Sequence, residues 1–134
     1  MSNILKEKLS VVSMFCGCGG LDYAFHKLED KFNVVYANDI NKDSCITYSN
    51  YYNFEPICED IKNIDKIPKC DIITGGFPCQ GFSVANQYRD ENDKRNELYK
   101  ELVRLLALKK PKYFIFENVK GILSLGGYEN TEDK

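Results

Sequence analysis

One cysteine of this chain stands where its neighbours and its spacing predict chemistry. Cys79 lies in the segment GGFPCQGFS (residues 75–83), directly after an apolar run at residues 70–74 that is typical of a buried strand. Open α/β sheets bind their ligands at the carboxyl ends of strands. A thiolate is a nucleophile where a thiol is not, and a polar loop can keep it exposed. Because turn and hydrogen-bonding residues surround Cys79, we interpret it as a nucleophile rather than a buried structural cysteine.

A glycine-rich turn and two acidic residues indicate a cofactor site. The glycines of FCGCGG (residues 15–20) let backbone N–H groups approach a ligand, although such a turn can also serve tight packing alone. Asp39 ends the second predicted strand, where a carboxylate can accept hydrogen bonds from both ribose hydroxyls of an adenosine. Asp60, after the third strand, is similarly placed for an adenine amino group. Either acid alone is better explained as a helix cap or a surface charge, but together they favour a cofactor that carries adenosine.

A second candidate for catalysis closes the fifth predicted strand. Glu117 lies in FIFENV (residues 114–119), and a carboxylate at such an end either caps the next turn or faces the cleft. A carboxyl group that is partly shielded from water can donate a proton as well as accept one. We expect the sheet to bring Glu117 near Cys79. The alternative is a structural hydrogen bond to the neighbouring loop.

The predicted elements that position these residues alternate between strands and helices. Short apolar runs predict strands at residues 10–15, 33–38, 55–58, 70–74 and 113–117, and helical spacing predicts helices at 21–29, 39–53 and 93–109. The second helix begins at Asn41 or Asp43. The alternation predicts an α/β fold with a doubly wound, mostly parallel sheet in the order 3-2-1-4-5. The polar segment 80–92 is interpreted either as a lid over the site or as a disordered surface insertion.

Composition and cysteine usage exclude several classes of function. The 18 Lys and Arg and the 20 Asp and Glu give a net charge of -2, so the charge balance neither indicates nor excludes nucleic acid as a partner. The six cysteines show no paired spacing and no signal peptide precedes them, which favours reduced thiols in the cytoplasm. Cys16 and Cys18 have only His26 and no second close cysteine pair to complete a zinc site, so we predict no metal. No apolar run approaches the ~20 residues that span a bilayer.

Together the motifs resemble those of the DNA cytosine-5 methyltransferases. The turn at 15–20 is similar to the family's first motif, Asp39 and Asp60 match its cofactor acids, FPCQ (77–80) matches its catalytic motif, and ENV (117–119) matches the next. The resemblance covers residues 11 to about 123 in the family's order. It implies a Rossmann-like domain that binds S-adenosylmethionine and is incomplete at its C-terminal side. The cofactor-binding residues that it implies are Phe15, Gly17, Cys18, Gly19, Gly20, Asp39, Ile40, Asp60, Ile61, Pro78 and Leu98.

The resemblance also implies a mechanism, a substrate and a location. The Cys79 thiolate would add to C6 of a cytosine flipped out of DNA, while Glu117 hydrogen-bonds N3 and the exocyclic amine. C5 would then accept a methyl group, and loss of the C5 proton would expel the thiolate. Gln80 and Ser83 would approach the DNA from the loop. The implied enzyme is cytoplasmic, acts on nucleoid DNA and is of the prokaryotic restriction–modification type.

The chain also departs from the pattern of that family. An arginine-bearing catalytic strand, a target-recognition region and a late cofactor segment are not recognisable. We therefore expect residues 1–125 to be a catalytic half-domain and residues 126–134 a polar tail or a truncation point. The fifth strand would be an uncovered sheet edge. We expect a fragment, or one subunit whose second polypeptide supplies target recognition, that alone binds S-adenosylmethionine weakly and does not methylate DNA.

Two other functions stay open at this point. One is a relative that methylates cytosine C5 in tRNA, because the two kinds of enzyme share the Pro-Cys and Glu-Asn-Val motifs. The other is a cofactor-binding or interaction module without catalysis. The presence of both Cys79 and Glu117 disfavours the module, because binding alone requires neither.

Overall fold

A five-stranded parallel sheet forms the centre of the computed structural model, which describes residues 7–78 and 97–119. The predicted α/β class and strand order are confirmed, since the strands lie in the order β3-β2-β1-β4-β5. The strands are β1 (Leu9–Met14), β2 (Phe32–Asp39), β3 (Ile57–Cys58), β4 (Ile72–Gly75) and β5 (Tyr113–Phe116). The helices are α1 (Tyr23–Lys27), α2 (Lys42–Tyr52) and α3 (Tyr99–Lys109), with a 3-10 helix at Ile61–Asn63.

Both faces of the central strands of the sheet are covered, as apolar parallel strands require. On one face, Val12 and Ile73 belong to a buried cluster that includes Leu102 of α3. On the other face, Val11 belongs to a second cluster that includes Phe25 of α1. Because β1 and β4 are buried on both sides, the carboxyl ends of the central strands are fixed at one edge of the sheet.

The observed elements differ from the predicted ones mainly at their ends. Helix α2 is capped by Asn41, whose side chain accepts a hydrogen bond from Ser44 N at 2.9 Å, so the first of the two predicted starts is right. Helix α1 is shorter than predicted because Asp22 is held in the interior and residues 21–22 form a turn. Strand β4 extends to Gly75, which pairs with both neighbouring strands. Of the third predicted helix, residues 93–96 lie outside the described residues.

Strand β5 forms one edge of the described sheet and presents apolar side chains to solvent. Tyr113 is 59% exposed and Phe114 is 60% exposed, although they lie on opposite faces of the strand. Exposed apolar side chains of this kind mark a surface that another segment can cover. Among the described helices, none is long and apolar enough to cross a membrane.

Candidate active site

The carboxyl ends of the strands open onto a cavity of about 650 Å³. The segments that follow β1, β2, β3 and β4 line it, together with Leu98 just before α3. This edge is where parallel sheets bind their ligands. The predicted cofactor residues that line it are Phe15, Gly17, Asp39, Ile40, Asp60, Ile61, Pro78 and Leu98, and the lining residues that were not predicted are Asn38, Asn41, Glu59, Lys62 and Gly76.

Hydrogen bonds join the turn after β1 to the end of β2. Gly17 N donates to Asp39 Oδ2 and Asn41 N donates to Asp39 Oδ1, and both donor–acceptor distances are 2.8 Å. Gly17 has a φ of 52°, and a Cβ built there would meet no atom within 4 Å, so the backbone is open toward the cavity. Phe15 has a φ of 53°, which costs a non-glycine residue about 1–2 kcal/mol. The Asp39 carboxylate is therefore held in one orientation, and each oxygen retains acceptor capacity for a ligand.

Gly19 of the glycine turn serves packing in this structure. A Cβ on Gly19, whose φ is 89°, would collide with the ring of Tyr52, and Tyr52 Oη donates to the Gly19 carbonyl at 2.7 Å. Cys18 and Gly20 are exposed, and neither they nor Gly19 line the cavity. Gly19 therefore fits the packing alternative, and the cofactor contacts assigned to these three residues stay predictions.

Asp60 lines the cavity and also caps the 3-10 helix. Its Oδ1 accepts a hydrogen bond from Lys62 N at 3.0 Å, which is the helix-cap role considered for it from sequence. Asp60 N donates to Glu59 Oε1 at 3.0 Å. One carboxylate can cap a helix and still accept a further hydrogen bond, so the two roles are compatible.

A buried asparagine, not predicted from sequence, holds the short strand β3 in place. Asn38 is 1% exposed, and its Nδ2 donates to the carbonyls of Ile57 at 2.9 Å and Glu59 at 2.8 Å. A strand of two residues has few ladder hydrogen bonds of its own, so these two bonds position the segment that leads into Asp60.

Glu117 lies against the segment that leads to the predicted nucleophile. Strands β4 and β5 pair through Gly75 and Phe116, and Glu117 N donates to the Gly75 carbonyl at 3.0 Å. A Cβ built on Gly76 would lie 3.3 Å from Glu117 Oε2, so the carboxylate is over the Gly76 backbone, beside the cavity. The side chain is exposed, so the described residues do not supply the partial shielding that we expected.

A second hydrogen bond holds the two segments together. Asn118 Nδ2 donates to the Phe77 carbonyl at 3.2 Å. Pro78 lines the cavity directly after Phe77. Cys79 lies outside the described residues, as do Gln80 and Ser83, so the proximity of Cys79 to Glu117 stays a prediction.

A buried polar network supports the glycine turn from behind. The Asp22 carboxylate is fully buried and accepts hydrogen bonds from Ser13 Oγ and Tyr48 Oη, both at 2.8 Å. Burial raises the pKa values of Asp22 and Tyr48 and lowers that of His26, whose Nε2 lies 3.0 Å from Tyr48 Oη. The His26 ring stacks on Tyr52 with centroids 3.9 Å apart. Within residues 7–78 and 97–119, no three His, Cys, Asp or Glu side chains are grouped to hold a metal ion.

Comparison with known proteins identifies the family. The family model for the C-5 cytosine-specific DNA methylase matches residues 9–133. The chain belongs to this family. Its matched region contains every described element and the whole cavity.

Several curated members of the family are similar in sequence. The type II methyltransferase M.NgoFVII of Neisseria gonorrhoeae is 40% identical over 126 residues, which cover 91% of this chain and 33% of the relative. The type II methyltransferase M.FnuDI of Fusobacterium nucleatum is 39% identical over 127 residues, covering 93% of this chain and 36% of the relative. The chain thus spans about a third of the length of these methyltransferases.

Solved structures share the fold. The Dnmt2 methyltransferase of S. pombe aligns with a TM-score of 0.67 at 24% identity, covering 87% of this chain and 38% of that one. A DNMT2 variant of Spodoptera frugiperda aligns with a TM-score of 0.66 at 26% identity, covering 87% of this chain and 37% of that one. The strand order and the cavity therefore lie in a fold that solved methyltransferases share.

The cavity residues missed from sequence are chain neighbours of predicted ones. Asn38 and Asn41 flank the predicted pair Asp39 and Ile40, and Glu59 precedes Asp60. For Asn41 and Glu59 the signal was a polar side chain just after a predicted strand, because residues at the carboxyl ends of parallel strands meet at the same edge of the sheet. Gly76 had no such signal, since its proximity to Glu117 depends on the pairing of β4 with β5.

Proposed function

We propose that the cavity binds S-adenosylmethionine and that the protein transfers its methyl group to C5 of cytosine in DNA. The cavity volume and the mixture of one fixed carboxylate with apolar walls suit a nucleoside ligand. Asp39 would accept hydrogen bonds from the ribose hydroxyls, and Asp60 one from the adenine amino group. Ile40, Ile61 and Leu98 would contact the adenine ring. The remaining contacts from the resemblance would come from Phe15, Gly17, Cys18, Gly19, Gly20 and Pro78.

The chemistry requires a nucleophile and a hydrogen-bonding acid on the same base. S-adenosylmethionine, when bound, supplies an electrophilic methyl group on a positively charged sulfur. Cys79 would add as a thiolate to C6 of the flipped-out cytosine, which makes C5 electron-rich enough to accept a methyl group. Glu117 would hydrogen-bond N3 and the exocyclic amine, and loss of the C5 proton would release the thiolate.

The observation that carries this proposal is the position of the Glu117 carboxylate. It lies 3.3 Å from the Cβ position of Gly76, three residues before Cys79, and Asn118 is bonded to Phe77. A binding module would have no use for an acid beside the cavity, in a segment that two hydrogen bonds join to the end of β4 and the residues after it. DNA is favoured over RNA as substrate because the matching family model is for DNA methylases and the relatives at about 40% identity are type II methyltransferases.

The complete enzyme would also need polypeptide beyond the described residues, either from the same chain or from a second one. Strand β5 exposes Tyr113 and Phe114, and a further strand or helix on that edge would bury them. Gln80 and Ser83 would approach the DNA from the loop after Cys79, and base recognition would come from the added polypeptide.

A methyl-transfer assay tests the function. The protein is purified together with any polypeptide that binds to it. It is then incubated with S-adenosylmethionine carrying a radioactive methyl group and with duplex DNA or tRNA. We expect label in 5-methylcytosine of DNA, loss of that label in Cys79→Ser, and little label in tRNA.

Three other results would contradict parts of the proposal. Label in tRNA alone would show that the substrate is tRNA and not DNA. Labelling by Cys79→Ser equal to that by the wild-type protein would show that Cys79 is not the nucleophile. Tight S-adenosylmethionine binding without transfer to any nucleic acid would favour the non-catalytic module.

A further inference from the structure

Two cysteine thiols that the proposed mechanism does not use donate to the carbonyls of two consecutive residues that line the cavity. Cys45 is in the first half of α2, and Cys58 ends β3. Cys45 Sγ donates to the Asp39 carbonyl at 3.6 Å, and Cys58 Sγ donates to the next carbonyl in the chain, that of Ile40, at 3.8 Å. Cys58 is also close enough to Cys45 to raise the pKa of the Cys45 thiol.

The backbone holds this pair together. Cys58 is the partner of Asp39 in the parallel β2–β3 ladder, and Glu59 N donates to the Asp39 carbonyl at 3.1 Å. On the other side, Cys45 N donates to the carbonyl of the helix cap Asn41 at 3.0 Å. A disulfide needs neighbouring cysteines whose Cβ atoms are about 3.5–4.5 Å apart. Two thiols that donate to consecutive carbonyls of one segment, and of which one raises the pKa of the other, are neighbours in the fold.

The two thiols differ in their access to solvent. Cys58 is exposed and Cys45 is buried. Burial, followed by the nearby Cys58 thiol, raises the pKa of Cys45 to about 11, so Cys45 is protonated near neutral pH. An oxidant dissolved in water therefore reaches Cys58 first, and Cys45 is placed to react with the product.

We propose that Cys45 and Cys58 form a redox-sensitive pair that closes to a disulfide under peroxide and thereby weakens binding in the cavity. The Cys58 thiolate attacks a peroxide oxygen, the O–O bond breaks, hydroxide leaves as water and a sulfenic acid forms. Cys45 then loses its proton, its thiolate attacks the Cys58 sulfur, the S–O bond breaks, and the hydroxide takes up that proton and leaves as water. Two thiols lose two electrons in all, and one hydrogen peroxide becomes two waters.

The disulfide would change two walls of the cavity. It removes the S–H donors from the carbonyls of Asp39 and Ile40, both of which line the cavity, and it draws the end of β3 toward α2. Glu59 and Asp60, which follow Cys58, line the cavity as well. This part rests on the proposed function, because its ligand is S-adenosylmethionine. We expect affinity to fall about three- to tenfold, the effect of losing one neutral hydrogen bond.

Peptide mapping of the full 134-residue chain tests the disulfide itself. After treatment with hydrogen peroxide and blocking of the remaining thiols, trypsin cleaves after Lys42 and Lys62 and chymotrypsin cleaves after Tyr52 and Phe54, which separates the two cysteines. We expect a linked pair of peptides without reductant and its loss with dithiothreitol. Cys58→Ser should abolish the link, whereas Cys18→Ser, which removes another exposed thiol, should leave it intact.

Two results would contradict the proposed disulfide. Oxidation of Cys58 to sulfinic acid with Cys45 still a thiol would overturn the pair, and so would a link from Cys58 to any other cysteine. Cys58→Ser is used as the main variant because its exposed position tolerates serine, and its circular dichroism spectrum checks that it folds.

Calorimetric titration with S-adenosylmethionine tests the effect on binding. Reduced, oxidised and re-reduced protein are compared, with Cys58→Ser expected to be insensitive to peroxide. Unchanged affinity of the fully linked protein would overturn the effect on the cavity but not the disulfide. No binding by the reduced protein would count against the proposed function and the binding effect together, while the peptide map would still decide the disulfide.

Discussion

Removing the Asp39 carboxylate should separate its structural role from its role in binding. In the wild-type protein, Gly17 N and Asn41 N each donate to the Asp39 carboxylate at 2.8 Å, and in Asp39→Ala both lose this acceptor. Asn41 is exposed and water can replace its bond, so the cost to folding comes mainly from Gly17 and should be about 1–2 kcal/mol. The proposed ribose contacts add a separate loss to binding. A hydrogen bond to a charged group is worth about 1.5–3 kcal/mol, so one lost ribose bond alone weakens binding roughly ten- to a hundredfold.

The assay is a calorimetric titration with S-adenosylmethionine beside a urea unfolding curve for each variant. Asp39→Asn retains one acceptor oxygen and should be intermediate in both measurements. Asp43→Ala is the matched control, because Asp43 is an exposed acid in the first turn of α2 that does not line the cavity. It should leave affinity unchanged and cost at most about 1 kcal/mol of stability. Wild-type affinity in a folded Asp39→Ala protein would refute the assignment of Asp39 to the ribose.

Three further outcomes are expected. Glu117→Gln should lower the methyl-transfer rate roughly 10²- to 10⁴-fold with the urea midpoint almost unchanged, because an exposed acid would be lost only from the reaction. Gly19→Ala should destabilise the protein by about 1–3 kcal/mol in urea, since its Cβ collides with Tyr52 at a φ of 89°. Asp71→Asn should lower the melting temperature near neutral pH, because hydrogen bonds, first from Lys112, hold the Asp71 pKa at about 2. That stability is present above the ordinary value of 3.8 and is lost as pH falls through about 2, so the difference in melting temperature should vanish there.

Each of these variants has a control or an outcome that contradicts it. Glu55→Gln, an exposed acid outside the cavity, should keep wild-type activity, and equal activity of Glu117→Gln would end the proposed role of Glu117. Gly20→Ala has no atom within 4 Å of the new Cβ, so a cost equal to that of Gly19→Ala would show that packing on Tyr52 is not the cause. A difference for Asp71→Asn that stays constant down to strongly acidic pH would exclude its carboxylate as the source.

The strand order could be predicted from sequence because alternating apolar runs and helical spacing restrict an α/β chain to few topologies. That order already implies that the end of β5 lies beside the end of β4, which is why Glu117 could be expected near the segment leading to Cys79. The exact ends of elements depend on tertiary contacts instead. Asp22 shortens α1 because Ser13 and Tyr48 hold its carboxylate in the interior, and neither residue is near it in sequence.

Within the site, sequence could indicate residue types but not which partner each one uses. The pattern of FCGCGG does not distinguish Gly17, which is open toward the cavity, from Gly19, which packs on a tyrosine of α2. Asn38 reads as one more strand residue until the sheet shows that its amide bonds to two carbonyls of the β3 segment. The hydrogen bond between Gly17 and Asp39 likewise requires β1 and β2 to be neighbours.

The most direct test of the proposed chemistry is covalent trapping on DNA that contains 5-fluorocytosine. Fluorine at C5 cannot leave as a proton does, so an enzyme that adds a thiolate to C6 stays bound to the DNA. With S-adenosylmethionine present, we expect a protein–DNA adduct that survives denaturation and in which the modified nucleotide is attached to Cys79. The yield of this adduct should be reduced in Glu117→Gln and abolished in Cys79→Ser. An adduct that maps to another residue, or methylation of ordinary cytosine without any adduct on the fluorinated base, would contradict the account.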